Sequence, residues 1–309
     1  MKTRKRILSI FLTLALAAGL LAIAPITAHA ATGMATIDVS TLGGADADNS
    51  AAITTESQWG YNTTTKFLYL YTTSGSYTLT GTNGNLTVLI VNSDQNVTLD
   101  SVGIAAPGDQ PAITSNASAN NWTLNLVGSS TLVGGSGQFA NNSVTNQSWT
   151  ITSTTGGSLT AASAERGGII LQPNDTLRVT GNAAVTAVTK DGWSNVLLGT
   201  GASLLIGDNA KLTLDQSSET VYNYNLTVGK ADTATTHKWK LTGATTTDPL
   251  TDASIDVTVA PGDTATIERE PIAAPTPTKG IFCTNARWYG AWWHYVLFFL
   301  GFGFLWMWF

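Results

Sequence analysis

Cleaving a glycan by hydrolysis needs two carboxylates at a fixed separation on one surface. Cleaving it by elimination needs a strong base, usually beside acids that hold Ca²⁺. On the repeat faces acids are sparse: Asp94, Glu165, Asp175, Asp191 and Asp208. They are scattered over turn-like segments, and no two fall in one outward column on adjacent repeats. His237 is the only histidine between the two apolar ends of the chain. No Ser-His-Asp set, zinc-ligand spacing or phosphate loop occurs. Arg178 near Asp175 and Lys190 near Asp191 read as ordinary surface pairs. No catalytic residue, metal or cofactor is therefore assigned, and a polysaccharide lyase or hydrolase stands as the enzymatic alternative. What remains is the chemistry of binding. Trp193, in "KDGWSN", sits on a turn where an exposed ring can stack on a sugar. Threonines recur at alternate strand positions: Thr98, Thr160, Thr186 and Thr213 (with Val133) in one series, Thr150 with Thr87 and Thr123 in another. Rows of hydroxyls and methyls suit an ordered, repetitive ligand, such as a polysaccharide or ice. Threonine is also simply a good exposed-strand residue.

A repeat must position these residues. Trp122, Trp149, Leu177 and Leu204 are spaced 27, 28 and 27, and so are Leu124, Ile151, Val179 and Ile206. A second series, Leu132, Leu159, Val185 and Leu212, runs 27, 26 and 27. A third, Ile170, Leu197 and Tyr224, runs 27 and 27. Each repeat holds short stretches of period-two alternation joined by turns of Gly, Asn, Asp and Ser. No helical period competes. The spacing predicts an all-β fold: a right-handed parallel β-helix of three short strands per coil and about 27 residues per coil. Trp122 and Trp149 then belong to the core, with like residues stacked about 4.8 Å apart.

The ends carry different signals. Lys2 to Arg6, an apolar run and Ala28-His29-Ala30 predict a signal peptide over 1–30, cleaved after Ala30. The aromatic-flanked run at the other end predicts a transmembrane helix or sorting tail over 287–309. Between them the reading is an N-terminal cap at 31–60, β-helix repeats at 61–232, a C-terminal β cap at 233–270 and a Pro/Thr-rich stalk at 271–286. Ten basic and twenty acidic residues lie between the signal and Arg287, a net charge of −10. That excludes nucleic acid and anionic lipid headgroups as expected partners and leaves neutral glycans, or Ca²⁺ at acidic loops. Cys283 is the only cysteine, so no intrachain disulfide forms.

"SGSYTLTGTNGNLTVLIVNSDQNVTLDSVGI", residues 74–104, contains G-x-Y-x-L-x-G and V-x-L-x-x-V-x-I strands, and "WTLNLVGSSTLVGG" adds L-x-L-x-G-x-x-x-L. These resemble the opening coils of a bacterial family of surface carbohydrate-binding β-helix domains known from clostridia. The resemblance implies polysaccharide binding with bound Ca²⁺ and no hydrolysis. The expected protein is thus exported to the bacterial cell surface, held to the membrane by its C-terminal helix, and binds polysaccharide. The structural alternative is a spacer or adhesin contacting protein.

Overall fold

A computed structural model describes residues 24–25, 30–31, 34–48, 58–71, 76–91, 95–116, 121–135, 145–163, 167–188, 192–219, 222–231 and 237–272. Most of the expected signal, the stalk beyond Ile272, Cys283 and the tail lie outside the described residues. The chain divides into two units, 1–270 and 271–309. Among the described residues no helix is long and apolar enough to cross a membrane.

The first unit is a β-solenoid whose strands stack in three columns. The first column runs through Met34–Asp38, Ser76–Asn83, Gln95–Ala105, Asn121–Val127, Ser148–Ser153, Thr176–Gly181, Ser203–Ile206 and Tyr224–Lys230, all in parallel. Gln95, Trp122, Trp149, Leu177 and Leu204 share one register, giving four steps of 27, 27, 28 and 27 residues. The second column continues from the end of Gln95–Ala105 through Ser129–Gly134, Ser158–Ser163, Ala184–Val188 and Lys211–Asp215. The third holds Phe67–Leu70, Thr87–Ile90 and Ile113–Ser115, and further on Ile169–Leu171 and Val196–Leu198.

Strict alternation explains why these short polar segments are strands. One residue in two turns inward and is buried, as in Trp149, Ile151 and Ser153. Trp122 and Trp149 stack with ring centroids 4.7 Å apart and a 37° tilt. The Trp149 indole N–H donates to Gln147 Oε1 at 3.1 Å, which satisfies the one polar atom of a buried ring. No coil could bury its apolar side alone, so the core exists only through stacking.

The corner between the first and second columns needs a left-handed residue in most coils. Gly128 (φ 65°) and Gly181 (φ 64°) supply it freely, while Ser101 (φ 53°) and Asp208 (φ 53°) adopt it with a side chain. At Gly181 a Cβ would lie 2.5 Å from the Ser153 carbonyl oxygen. Asp208 compensates by accepting from the Gly181 N–H at 2.9 Å, one coil away. Asn209 donates to Asn182 across the same two coils at 3.1 Å.

Two expected alignments shift. Leu132 pairs with Ala161 rather than Leu159, because the turn at residues 154–157 is longer than the single Gly128 at the same corner one coil earlier. Tyr224 opens the first-column strand Tyr224–Lys230 instead of joining the third column. The register there steps by only 24 residues, Leu205 facing Gly229, so that coil closes early.

Antiparallel strands finish the C-terminal end. Thr264–Pro271 pairs with Lys211–Asp215, Ser254–Val259 pairs with Tyr224–Lys230, and His237–Thr242 lies beside Thr264–Pro271. Lys238–Glu270 (3.1 Å) and Lys240–Glu268 (2.5 Å) join the last two of these strands. At the other end Trp59–Asn62 runs antiparallel to Phe67–Leu70, spanning the expected boundary at 60/61. Trp59 and Tyr61 are buried there.

Candidate binding surfaces on the three columns

Threonines line the outside of the second column in one unbroken register: Thr131, Thr160, Thr186, Thr213 and, across the antiparallel cap strand, Thr266. Gly103 and Thr82 extend the row towards the N-terminus. The last two hydroxyls, of Thr213 and Thr266, lie 3.3 Å apart. Beside the row run Ser129 and Ser158, whose hydroxyls are 3.0 Å apart, and on its other side Val133 and Ala162.

Two residues expected in this row sit elsewhere. Thr98 belongs to the first column, in register with Thr78, Asn125, Thr152 and Thr180. Val133 lies two residues along from Thr131, which takes its place. The longer turn at 154–157 hides the second shift from a fixed-period reading, whereas Thr98, Asn125 and Thr152 keep the 27-residue spacing within the first column. Thr150 does lie in an outward first-column row, between Thr123 and Arg178, and that row continues to Leu205 and Gly229.

The third column is different. Trp193, Leu197 and Tyr222 are 45 %, 43 % and 66 % exposed, among the most exposed large apolar side chains of the described residues. Leu197 had been expected in a core series. Its neighbours Val196 and Leu198 turn inward instead, so Leu197 points out.

The backbone beneath this cluster is pinned from several sides. One oxygen of the buried Glu219 carboxylate accepts from the Gly192 N–H at 2.7 Å, and the other accepts from the Tyr222 N–H at 3.2 Å. One carboxylate therefore ties the turn before Trp193 to the segment bearing Tyr222. The buried Asn195 amide donates to the carbonyls of Ala187 and Asp215, each at 2.8 Å. The Tyr224 hydroxyl accepts from the Val196 N–H at 3.2 Å and donates to the Val196 carbonyl. Burial holds that phenol in its neutral form far above the ordinary tyrosine range. Exposed rings on a fixed backbone lose little conformational freedom when a ligand arrives.

A second aromatic group occupies the N-terminal end of the same column. Leu68 and Leu70 turn inward, leaving Phe67, Tyr69 and Tyr71 on the outer side, half-buried. Tyr69 and Tyr71 stack with centroids 5.7 Å apart and planes within 3°, and Phe67 lies 5.9 Å from Tyr69. The alternation of "FLYLY" encodes this stripe directly. Glu219 has no such signal, since its bonds to Gly192 and Tyr222 go to backbone amides.

Of the acids picked out by sequence on the repeat faces, the described ones, Asp175 and Asp208, bond to backbone amides. Asp175 is fully buried, and its two oxygens accept from the Gln147 N–H (2.8 Å) and the Gln172 N–H (2.9 Å). It is a coil-to-coil clasp, not the partner of Arg178 expected from sequence proximity. Burial raises its pKa above the ordinary carboxylate value, against the pull of those two bonds. Asp208 serves the corner described above. Asp94, Glu165, Lys190 and Asp191 lie outside the described residues. Among the described residues no group of three or more His, Cys, Asp and Glu is placed to hold a metal ion. No family model, curated protein or solved structure matches the chain.

Proposed function

We propose that this chain is a non-catalytic, polysaccharide-binding, right-handed parallel β-helix of the bacterial cell surface, exported by its N-terminal signal and held at the membrane by its C-terminal segment. The observation that carries the reading is that Trp193, Leu197 and Tyr222 are exposed on a backbone pinned through Glu219, Asn195 and Tyr224, with Glu219 drawing the Gly192 and Tyr222 amides together. Sugar rings present C–H faces that stack on aromatic faces, and the gain is largest where the ring is already held. The net charge of −10 between signal and tail favours a neutral glycan over a polyanion. Right-handed winding accords with the general hand of parallel crossovers.

The test is retention of the full chain, kept in detergent, on a panel of insoluble neutral polysaccharides, with and without Ca²⁺. Retention on at least one glycan, lost in Trp193→Ala and independent of Ca²⁺, is the expected result. Retention on none would overturn the reading, and release of new reducing ends or unsaturated products would point to catalysis instead.

The threonine register supports a second reading. Five hydroxyls and methyls at a strand-to-strand repeat of about 4.8 Å form a regular array. Such an array suits the surface of an ordered solid such as ice. Shaping of growing ice crystals, abolished by Thr160→Lys, is its separate test.

A further inference from the structure

The stripe of Phe67, Tyr69 and Tyr71 stands in the same column as the Trp193 cluster but at its opposite end. Its backbone is held as firmly. Phe67–Leu70 is an interior strand between Trp59–Asn62 and Thr87–Ile90, and the Tyr71 N–H donates to the Gln58 carbonyl at 2.9 Å. Gly60 faces Tyr69 on one side, so no side chain from that strand crowds the ring. Leu89 faces it on the other.

Third-column strands follow the coils. From Phe67–Leu70 the column passes Thr87–Ile90 and Ile113–Ser115, skips one coil whose third segment is outside the described residues, and continues with Ile169–Leu171 and Val196–Leu198. The two aromatic groups are therefore separated by five coil rises, about 24 Å at roughly 4.8 Å each. That rise is on the order of the length of one pyranose unit in an extended chain, so the span corresponds to about five or six sugars.

Charge decides the class of occupant. Among the described residues, the positions that share the register of the aromatic side between the groups are Thr87, Leu89, Thr114 and Ile170, none of them charged, in a region of net charge −10. Thr87, Thr114 and Ile170 are 0 %, 7 % and 6 % exposed, so these positions offer a ligand no contact and it is held at the two ends.

We infer that Phe67, Tyr69 and Tyr71 form a second sugar-stacking subsite, and that the ligand is an extended neutral polymer running along the solenoid axis and engaging both aromatic groups. This inference rests on the polysaccharide-binding reading of the Trp193 cluster. Two weak sites on one chain give avidity: once the first is filled, the second binds at a high effective concentration. A short oligosaccharide fills one site at a time and gains nothing.

The experiment compares binding of a neutral polymer with binding of its trisaccharide, using the full chain and three variants. For the unmodified chain the polymer binds about 100-fold tighter, per chain engaged, than the trisaccharide. Tyr69→Thr/Tyr71→Thr retains strand propensity, removes the rings, and brings polymer affinity down to that of the trisaccharide. Tyr69→Phe/Tyr71→Phe restores the difference, which separates lost stacking from lost structure. Polymer affinity that survives Tyr69→Thr/Tyr71→Thr but falls in Trp193→Ala overturns the second subsite and leaves the first standing. Polymer affinity untouched by either change, or no binding of any neutral polymer, overturns both.

Discussion

Replacing Glu219 by glutamine keeps the size of the side chain and removes its charge. One oxygen still accepts, but the other becomes an NH₂ group aimed at an N–H. Either the Gly192 bond (2.7 Å) or the Tyr222 bond (3.2 Å) is lost, and a donor is left facing a donor in a buried site. Hydrogen bonds to a charged group contribute about 1.5–3 kcal/mol each, and leaving the donor unpaired costs within the same range. Glu219→Gln should therefore destabilise the solenoid by about 2–3 kcal/mol, equivalent to a Tm fall of roughly 4–10 °C for a unit of this size. Thermal unfolding measures the first effect. Native-state hydrogen exchange localises it, with faster exchange at Gly192 and Tyr222 and little change at Trp122 or Trp149 in the core. Glycan retention should fall as well, because Trp193 and Tyr222 lose their common anchor. An unchanged Tm together with unchanged exchange at both amides would refute the claim that Glu219 fixes the cluster.

Three further outcomes follow from the geometry. Trp149→Ala, which removes a fully buried ring from the stack, should cost about 3–5 kcal/mol in chemical denaturation, whereas Trp193→Ala should stay within about 0.5 kcal/mol of the parent. Gly181→Ala should cost about 1–3 kcal/mol, because its φ of 64° and the Ser153 carbonyl 2.5 Å from a new Cβ both oppose a side chain; Gly262→Ala, with an open surrounding but the same sign of φ, should cost less. The Lys240 and Lys211 contacts hold the Glu268 carboxyl below its ordinary value. A carboxyl lowered in the folded state lends stability above its unfolded pKa and loses it as pH falls through the folded one. The cap should thus loosen on acidification below the ordinary glutamate range, and Lys240→Met should flatten that part of a stability-versus-pH curve.

The repeat was legible because burial writes itself into sequence as spacing. Trp122, Trp149, Leu177 and Leu204 face the same core in successive coils, and their near-constant separation reports this directly. Spacing stopped being informative where a turn changed length. The four residues at 154–157 moved Thr131 into the place given to Val133, and the short coil after Ser203–Ile206 turned Tyr224 from a third-column residue into the start of a first-column strand. Of the candidate surface, Trp193 was visible as an aromatic residue on a turn. Leu197 was misplaced because a three-residue strand is too short for alternation to show which side is buried. Glu219 and Asp175 were unreadable in role, since their partners are main-chain amides that any residue type supplies.

A solenoid exposes raw sheet edges at its ends, and such edges can recruit a further chain into a growing fibre. Here the last parallel strands of two columns are closed by antiparallel neighbours, so the next layer cannot continue in the same direction. Of the two new outer strands, Ser254–Val259 has part of its edge occupied by the Thr245–Thr258 bridge. The other, His237–Thr242, carries Lys238 and Lys240, already committed to Glu270 and Glu268. An incoming strand would have to displace those contacts and desolvate two lysines to pair there. The cap is therefore also a polymerisation stop, which keeps the regular coils from seeding cross-β growth from that end.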